Sequence, residues 1–192
     1  PYGKIERVSQ VGSKKNRQVA RDAVRMSMVL LKNESNVLPL EKNKSITVVG
    51  SGANNLGMQN GGWTVEWQGR STPDFKILDS NSDEKLNFDE VTTYFKSAYD
   101  AKYNAGNVEG FFKNLDKDSN GDVNEDEFKK FDVESPYQPE GTSILKALEE
   151  ASDRKGLITY DPRAKNISKG DVIVAVVGEN PYTEGVGDNP TI

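Results

Sequence analysis

Ser45-Ile46-Thr47-Val48-Val49-Gly50 is the stretch on which the fold turns. Four consecutive β-branched or apolar residues between a serine and a glycine predict a strand buried on both faces, the kind that lines a parallel sheet. The Gly- and Asn-rich residues that follow, Gly50–Gly62, predict a loop. Upstream, Ala20, Ala23, Val24, Val29 and Leu30 recur near helical spacing, with Lys and Arg between them. Val29–Leu31, Asn33–Asn36 and Val37–Leu40 then suggest a small hairpin closing that helix off. Downstream, Gly141-Thr142-Ser143 offers a cap for a helix over Ile144–Leu148, Leu157–Tyr160 a short strand, and Val172–Val177 a second buried strand. Strand, loop, helix, strand is an α/β order with a largely parallel sheet. Gly50-Ser51-Gly52 begins like a dinucleotide loop, but Asn55 stands where the third glycine belongs. No helix or ribose-binding acid is evident after it, so that reading is rejected.

Composition limits the chemistry. The 192 residues contain no cysteine and no histidine. Disulfides, thiolate nucleophiles, ordinary zinc sites and Ser-His-Asp triads are therefore excluded. Carboxylates, amides, hydroxyls, Lys, Arg and aromatics remain, as does a hard cation held by oxygen. The apolar runs are too short to cross a bilayer, and residues 1–10 lack the apolar middle of a signal peptide. No membrane partner is expected.

The net charge of −5 is uneven: residues 74–134 hold 16 of the 30 acids and only 8 of the 25 bases, and the rest of the chain is mildly basic. This acidity argues against a nucleic-acid partner. Residues 116–127 read DKDSNGDVNEDE, a twelve-residue calcium loop of the EF-hand pattern. Asp116, Asp118 and Asn120 occupy the first side-chain positions, and Gly121 the sharp turn. Asp122 offers its carbonyl, Asn124 the water-bridged position and Glu127 the bidentate carboxylate. Residues 79–90 repeat the pattern with Asp79, Asn81, Asp83, Lys85 (carbonyl only), Asn87 and Glu90. Glu84 stands where glycine is expected, which costs roughly 1 kcal/mol or more for a left-handed backbone and predicts a weaker site. Phe and Leu flank both loops at helical spacing, and Leu86 and Val123 are placed to bridge them. All three methionines (Met26, Met28, Met58) lie outside residues 74–134, which favours a structural calcium clamp over a sensor with a Met-rich groove.

The flanks carry further motifs: Gln18-Val19-Ala20-Arg21-Asp22-Ala23-Val24-Arg25, Val29-Leu30-Leu31-Lys32-Asn33-Glu34 and Val37-Leu38-Pro39-Leu40. Val48-Val49-Gly50 with Asn54-Asn55-Leu56-Gly57, then Gly61-Gly62-Trp63-Thr64-Val65-Glu66-Trp67-Gln68-Gly69, and finally Gly178-Glu179-Asn180-Pro181-Tyr182-Thr183-Glu184-Gly185 complete the set. Over roughly residues 1–70 and 141–192 the chain resembles the second domain of glycoside hydrolase family 3, the exo-β-glucanases and β-glucosidases. The resemblance implies an α/β sandwich beside a barrel that supplies the aspartate nucleophile. It matches Glu184 to the family's acid/base glutamate and Trp67 to a tryptophan that stacks on the sugar, with Trp63 supporting that loop or subsite. Glu179 is then structural, or a residue supporting the site from behind those that touch the sugar. A retaining glycosidase uses two carboxyl groups about 5–5.5 Å apart, one nucleophilic and one shuttling a proton, and needs no histidine. Without the resemblance, Glu179 and Glu184 read as ordinary surface acids and the tryptophans as core packing.

The expected organisation is a partial α/β sandwich over 1–73 and 140–192, interrupted by an all-α EF-hand pair over 74–139. The expected function is the acid/base-bearing part of a retaining β-glucosidase or β-glucanase. Its partners would be Ca2+, a β-glucan oligosaccharide and the barrel carrying the nucleophile, without which the chain is inactive. The family's location is periplasmic or secreted. The competing reading is a calcium-binding module with no catalysis of its own.

Overall fold

The computed structural model describes residues 4–64, 66–69, 71, 73–99, 105–134, 141–167, 172–185 and 187–188. Val65 of the tryptophan motif and the expected boundary at 139/140 lie outside them. The chain divides into two units, Pro1–Leu40 and Glu41–Ile192.

In the first unit a 3-10 turn over Ile5–Gln10 leads into helix α1, Lys14–Ser27. Ser13 caps α1 by accepting the Asn16 N–H, and Asp22 takes bonds from Gln18 and Arg25 one turn away on either side. The hairpin expected after it does not form: residues 34–36 make a 3-10 turn instead of strands. The Asn33 carboxamide explains this, since it accepts from the Leu38 N–H and donates to the Leu38 carbonyl at 2.9 and 3.0 Å. One side chain thus satisfies both main-chain groups that a partner strand would have engaged.

The second unit is built on β1 (Ile46–Val49), whose four residues are all buried. It is the central strand of a parallel sheet of order β4-β1-β5, with β4 at Ile158–Tyr160 and β5 at Val172–Ala175. Ile46 is opposite Ile158 on one side and Val172 on the other. The sheet is parallel, as the sequence suggests, but Val172–Val177 is not a fully buried strand. β5 is an edge, its residues alternate in burial, and Ile173 is 51% exposed. An unbroken apolar run therefore marks a strand here without marking two covered faces. Gly50 follows β1 with φ +97°, and a side chain there would collide with the Val176 carbonyl.

The Gly50–Gly62 stretch is not wholly loop. A short helix α2, Leu56–Asn60, starts where the Asn55 side chain accepts the Met58 N–H. Between α2 and α7 (Ile144–Ala151) lies a helical segment: α3 (Phe75–Leu78), β2 (Lys85–Leu86), α4 (Phe88–Tyr99), α5 (Ala105–Leu115), β3 (Val123–Asn124) and α6 (Glu125–Glu134). β2 and β3 pair antiparallel with Leu86 opposite Val123, both fully buried. Around them Phe75, Leu78, Val91, Val108, Phe112, Leu115 and Phe128 form a core. Phe75 meets Phe128 and Phe111 meets Phe131 edge to face. The fold is thus mixed α/β, and its helical segment has a core of its own. Ser143 caps α7 as expected, accepting the Lys146 N–H, and the Leu145 N–H bonds the Ala53 carbonyl. No helix among the described residues is long and apolar enough to cross a membrane.

Candidate functional site

Two acidic loops face each other across the β2–β3 pair. In the first, carboxylate oxygens of Asp79, Asp83 and Glu90 lie within 4.8 Å of one another, with Asp79 and Glu90 buried. In the second, Asp116, Asp118 and Glu127 do the same, with Glu127 buried. Main-chain N–H groups wrap the first-position aspartates: Ser82, Asp83 and Glu84 donate to Asp79, and Asn120 and Gly121 donate to Asp116. Glu84 has the left-handed backbone its position demands, φ 65°, beside 91° for Gly121.

The closing residues do double duty. Asn87 accepts the Glu90 N–H while Glu90 accepts the Asn87 N–H, and Asn124 with Glu127 repeats this reciprocal cap. The same four side chains that end the loops start α4 and α6. Asn81 and Asn120 donate to Asp83 and Asp118 respectively. Lys85 and Asp122, the two carbonyl positions, pair through their side chains across the loops at 3.4 Å. Clustered carboxylates with amide oxygens between them form a hard-oxygen donor set of the kind Ca2+ takes.

The first loop and α3, which leads into it, are also tied to the turn that follows β4. The Arg163 guanidinium donates to the Ile77 carbonyl at 2.8 Å, and the Lys165 ammonium to the Ser80 carbonyl at 2.6 Å. Asn54 donates to Asp74 at the entry of the segment. The sequence reading missed these cations because nothing near them in the chain marks them as partners of a loop some 85 residues away. Between loop and sheet a cleft of about 570 Å3 is lined by Phe75, Glu84, Tyr160 and Lys165 among others. The Tyr160 hydroxyl is buried in this region without a partner in hydrogen-bonding geometry among the described residues. Burial, and then the charge of Asp74, push its pKa well above the usual tyrosine value.

The second constellation lies on the loop after α2. It is a tight turn between glycines: Gly61 and Gly69 have φ of 74° and 78°, the Trp63 N–H bonds the Trp67 carbonyl at 3.0 Å, and the Gly69 N–H bonds the Glu66 carbonyl. Trp63 itself is left-handed at φ 60°, a costly conformation for an indole-bearing residue. Both indoles face solvent, Trp63 68% and Trp67 54% exposed, with centroids 6.2 Å apart and planes tilted by 59°. They are therefore not core packing.

Residues 181–184 lie against this turn. A side chain at Gly62 would meet the Tyr182 carbonyl at 2.5 Å, and one at Gly69 would meet Pro181 at 2.5 Å, so two glycines permit the contact. Gln68 then joins the loops: its Oε1 accepts the Thr183 N–H at 2.9 Å and its Nε2 donates to the Glu184 carbonyl at 3.2 Å. Glu179 is engaged locally, accepting from the Tyr182 hydroxyl at 2.7 Å, a bond that raises the tyrosine pKa. The Glu184 carboxylate is exposed and makes no hydrogen bond or ion pair among the described residues. Of two glutamates five apart, one is tied down and the other is available. Trp67 and Glu184 are thus carried on touching loops, while the acidic loops stand on a separate helical segment.

Comparison with known proteins matches residues 28–192 to the glycosyl hydrolase family 3 C-terminal domain. A lysosomal β-glucosidase of Dictyostelium discoideum is 38% identical over 64 residues, 32% of this chain and 8% of that protein. The exo-1,3/1,4-β-glucanase of a Pseudoalteromonas species is similar in structure at 28% identity and a TM-score of 0.50, over 89% of this chain and 14% of that one. A mutant form of that glucanase matches over 93% of this chain and 19% of its own, with a TM-score of 0.53. The chain spans a small fraction of the length of each of these relatives.

Proposed function

Because the chain belongs to glycosyl hydrolase family 3, matching its C-terminal domain over residues 28–192, we propose that it is the acid/base-bearing part of a retaining, exo-acting β-glucosidase or β-glucanase. The observation that carries this reading is the junction of the two loops. The loop that carries an exposed indole pair and the loop that carries an unengaged carboxylate are joined by hydrogen bonds between residues more than 110 apart in the chain. Glu184 protonates the leaving glycosidic oxygen and then deprotonates the incoming water. The nucleophilic carboxylate comes from the barrel that the family joins to this domain. Trp67 offers its face to the apolar side of a pyranose, and Trp63, locked to it through the main chain, orients that platform. The substrates named for the relatives, β-glucosides and 1,3/1,4-β-glucan, suggest terminal β-glucosyl units. A periplasmic or secreted location accompanies this reading.

The helical segment reads as an EF-hand pair that binds Ca2+ and braces the enzyme beside its sugar site. Supporting this are the two three-carboxylate clusters, the paired β2 and β3, and the contacts of Lys165 to the first loop and of Arg163 to α3 just before it. Asp79, Asn81, Asp83, Asn87 and Glu90, and Asp116, Asp118, Asn120, Asn124 and Glu127, would hold the ions, with the carbonyls of Lys85 and Asp122.

The test is substitution of Trp67 in the protein that unites this chain with its barrel. Trp67→Ala is expected to raise KM for a β-linked glucose disaccharide about tenfold or more, which corresponds to roughly 1.4 kcal/mol of lost stacking. The β-anomer should be the first product seen by proton NMR. An unchanged KM would remove Trp67 from the subsite. Release of the α-anomer would overturn the retaining mechanism, and no hydrolysis of any β-glucoside would overturn the glycosidase reading in favour of a calcium-binding module.

A further inference from the structure

We propose that Gln68 is a positioning residue for the proton donor: its carboxamide fixes the main chain bearing Glu184 to the loop bearing Trp67. This rests on the reading of Glu184 as the acid/base group. The geometry is specific to an amide. A carboxamide offers an acceptor and a donor on one planar group, and Gln68 uses both, taking the Thr183 N–H and giving to the Glu184 carbonyl. Each bond goes to backbone, so together they hold the Thr183–Glu184 pair at its two outer ends, whatever rotamer the glutamate adopts. The Thr183 carbonyl is separately held by the Gly187 N–H at 2.7 Å. Of the three main-chain groups that define the carrier of Glu184, Gln68 satisfies two.

Its own anchorage is equally defined. Gln68 directly follows Trp67, whose carbonyl is fixed by the Trp63 N–H. Gly69 behind it packs on Pro181 with no room for a side chain. The stacking residue and the acid carrier therefore share one rigid joint. Beyond that joint Gly185 has φ 80°, a freedom that would let the segment swing if the amide were lost. A displacement of the order of 1 Å at a reacting group costs about a hundredfold in rate. Such a displacement would appear where proton donation matters and not where it does not.

The experiment compares Gln68→Ala and Gln68→Glu with Glu184→Gln, all in the barrel-containing enzyme, on substrates with graded leaving groups. Gln68→Ala is expected to lower kcat/KM for alkyl glucosides and glucose disaccharides about 10- to 100-fold, and kcat/KM for dinitrophenyl glucoside, whose leaving group needs no proton, by less than about threefold. Gln68→Glu keeps the acceptor for Thr183, loses the donor to Glu184 and adds a like charge beside the acid. It should give an intermediate loss and move the basic limb of the pH–rate profile upward, since a neighbouring carboxylate favours the protonated acid. Equal losses across all leaving groups with an unshifted pH profile, in a variant with unchanged thermal unfolding, would overturn the positioning role. If Gln68→Ala unfolds, the Gln68→Glu profile alone decides. Should Glu184→Gln itself show no dependence on the leaving group, the acid/base assignment fails, a result separable from failure of Gln68 alone.

Discussion

On the proposed acid/base role, Glu184→Gln in a protein that unites this chain with a family 3 barrel should lower turnover of glucose disaccharides and alkyl β-glucosides by about 10^2- to 10^4-fold. Dinitrophenyl β-glucoside should keep near-normal glycosylation, because its leaving group departs without a proton. For this substrate the slow step becomes hydrolysis of the glycosyl-enzyme, which lacks its general base. A pre-steady-state burst of dinitrophenolate should therefore appear, and a small external nucleophile such as azide should restore turnover. The amide retains the size of the carboxyl, so folding should be untouched. The exposed Glu184 side chain, engaged by no described residue, makes this expectation firm. Glu179→Gln should disturb only the bond from the Tyr182 hydroxyl and give a loss several-fold at most. Equal effects of Glu184→Gln on good and poor leaving groups, or a larger effect at Glu179, would sink the assignment.

The second large effect concerns the acidic loops. Adding Ca2+ to the metal-free intact protein should raise the unfolding temperature of the helical segment by on the order of 10 °C. A ligand at a hundred times its Kd contributes about 2.7 kcal/mol, and each kcal/mol moves a transition of this size by about 4–8 °C. The chemistry is mutual neutralisation: three carboxylates within 4.8 Å of one another repel until a divalent cation sits among them. Glu127→Gln should abolish the response of the second loop. In the first, Glu84→Gly should tighten binding about fivefold by removing the left-handed cost of roughly 1 kcal/mol. Calorimetry should resolve one tight and one weaker site in the parent protein. Identical melting with Ca2+ and with chelator would refute the metal reading outright.

The sequence held much of this in local form. Ile46–Val49 announced the central strand because both its faces are covered, so pattern and burial coincide. Leu86 and Val123 announced the bridge because a loop of fixed length leaves them nowhere else to go. Ile173 misled because an apolar side chain reports preference, and an edge strand need not honour it. Asn33 misled for another reason: an amide that imitates a strand turns a hairpin into a 3-10 turn. Gln68, Arg163 and Lys165 were illegible as partners. A polar side chain that serves a main-chain group some 85 to 116 residues away leaves no periodicity behind it. Trp63, Trp67 and Glu184 were visible only through the motifs around them, and the structure adds that Gln68 links their two loops.

The register of the sheet has a kinetic meaning. Ile46 must find Ile158, and then Val172, across more than a hundred residues, whereas the helical segment closes its core between Phe75 and Phe128. Contacts near in sequence form first, and distant parallel pairings wait on loop closure. A segment already folded shortens the flexible chain between β1 and β4 by about half, easing closure by roughly 0.6 kcal/mol. On this argument the helical segment is expected to collapse first and to serve as a scaffold that shortens the search by which the sheet, and with it the joint between the tryptophan and glutamate loops, comes together.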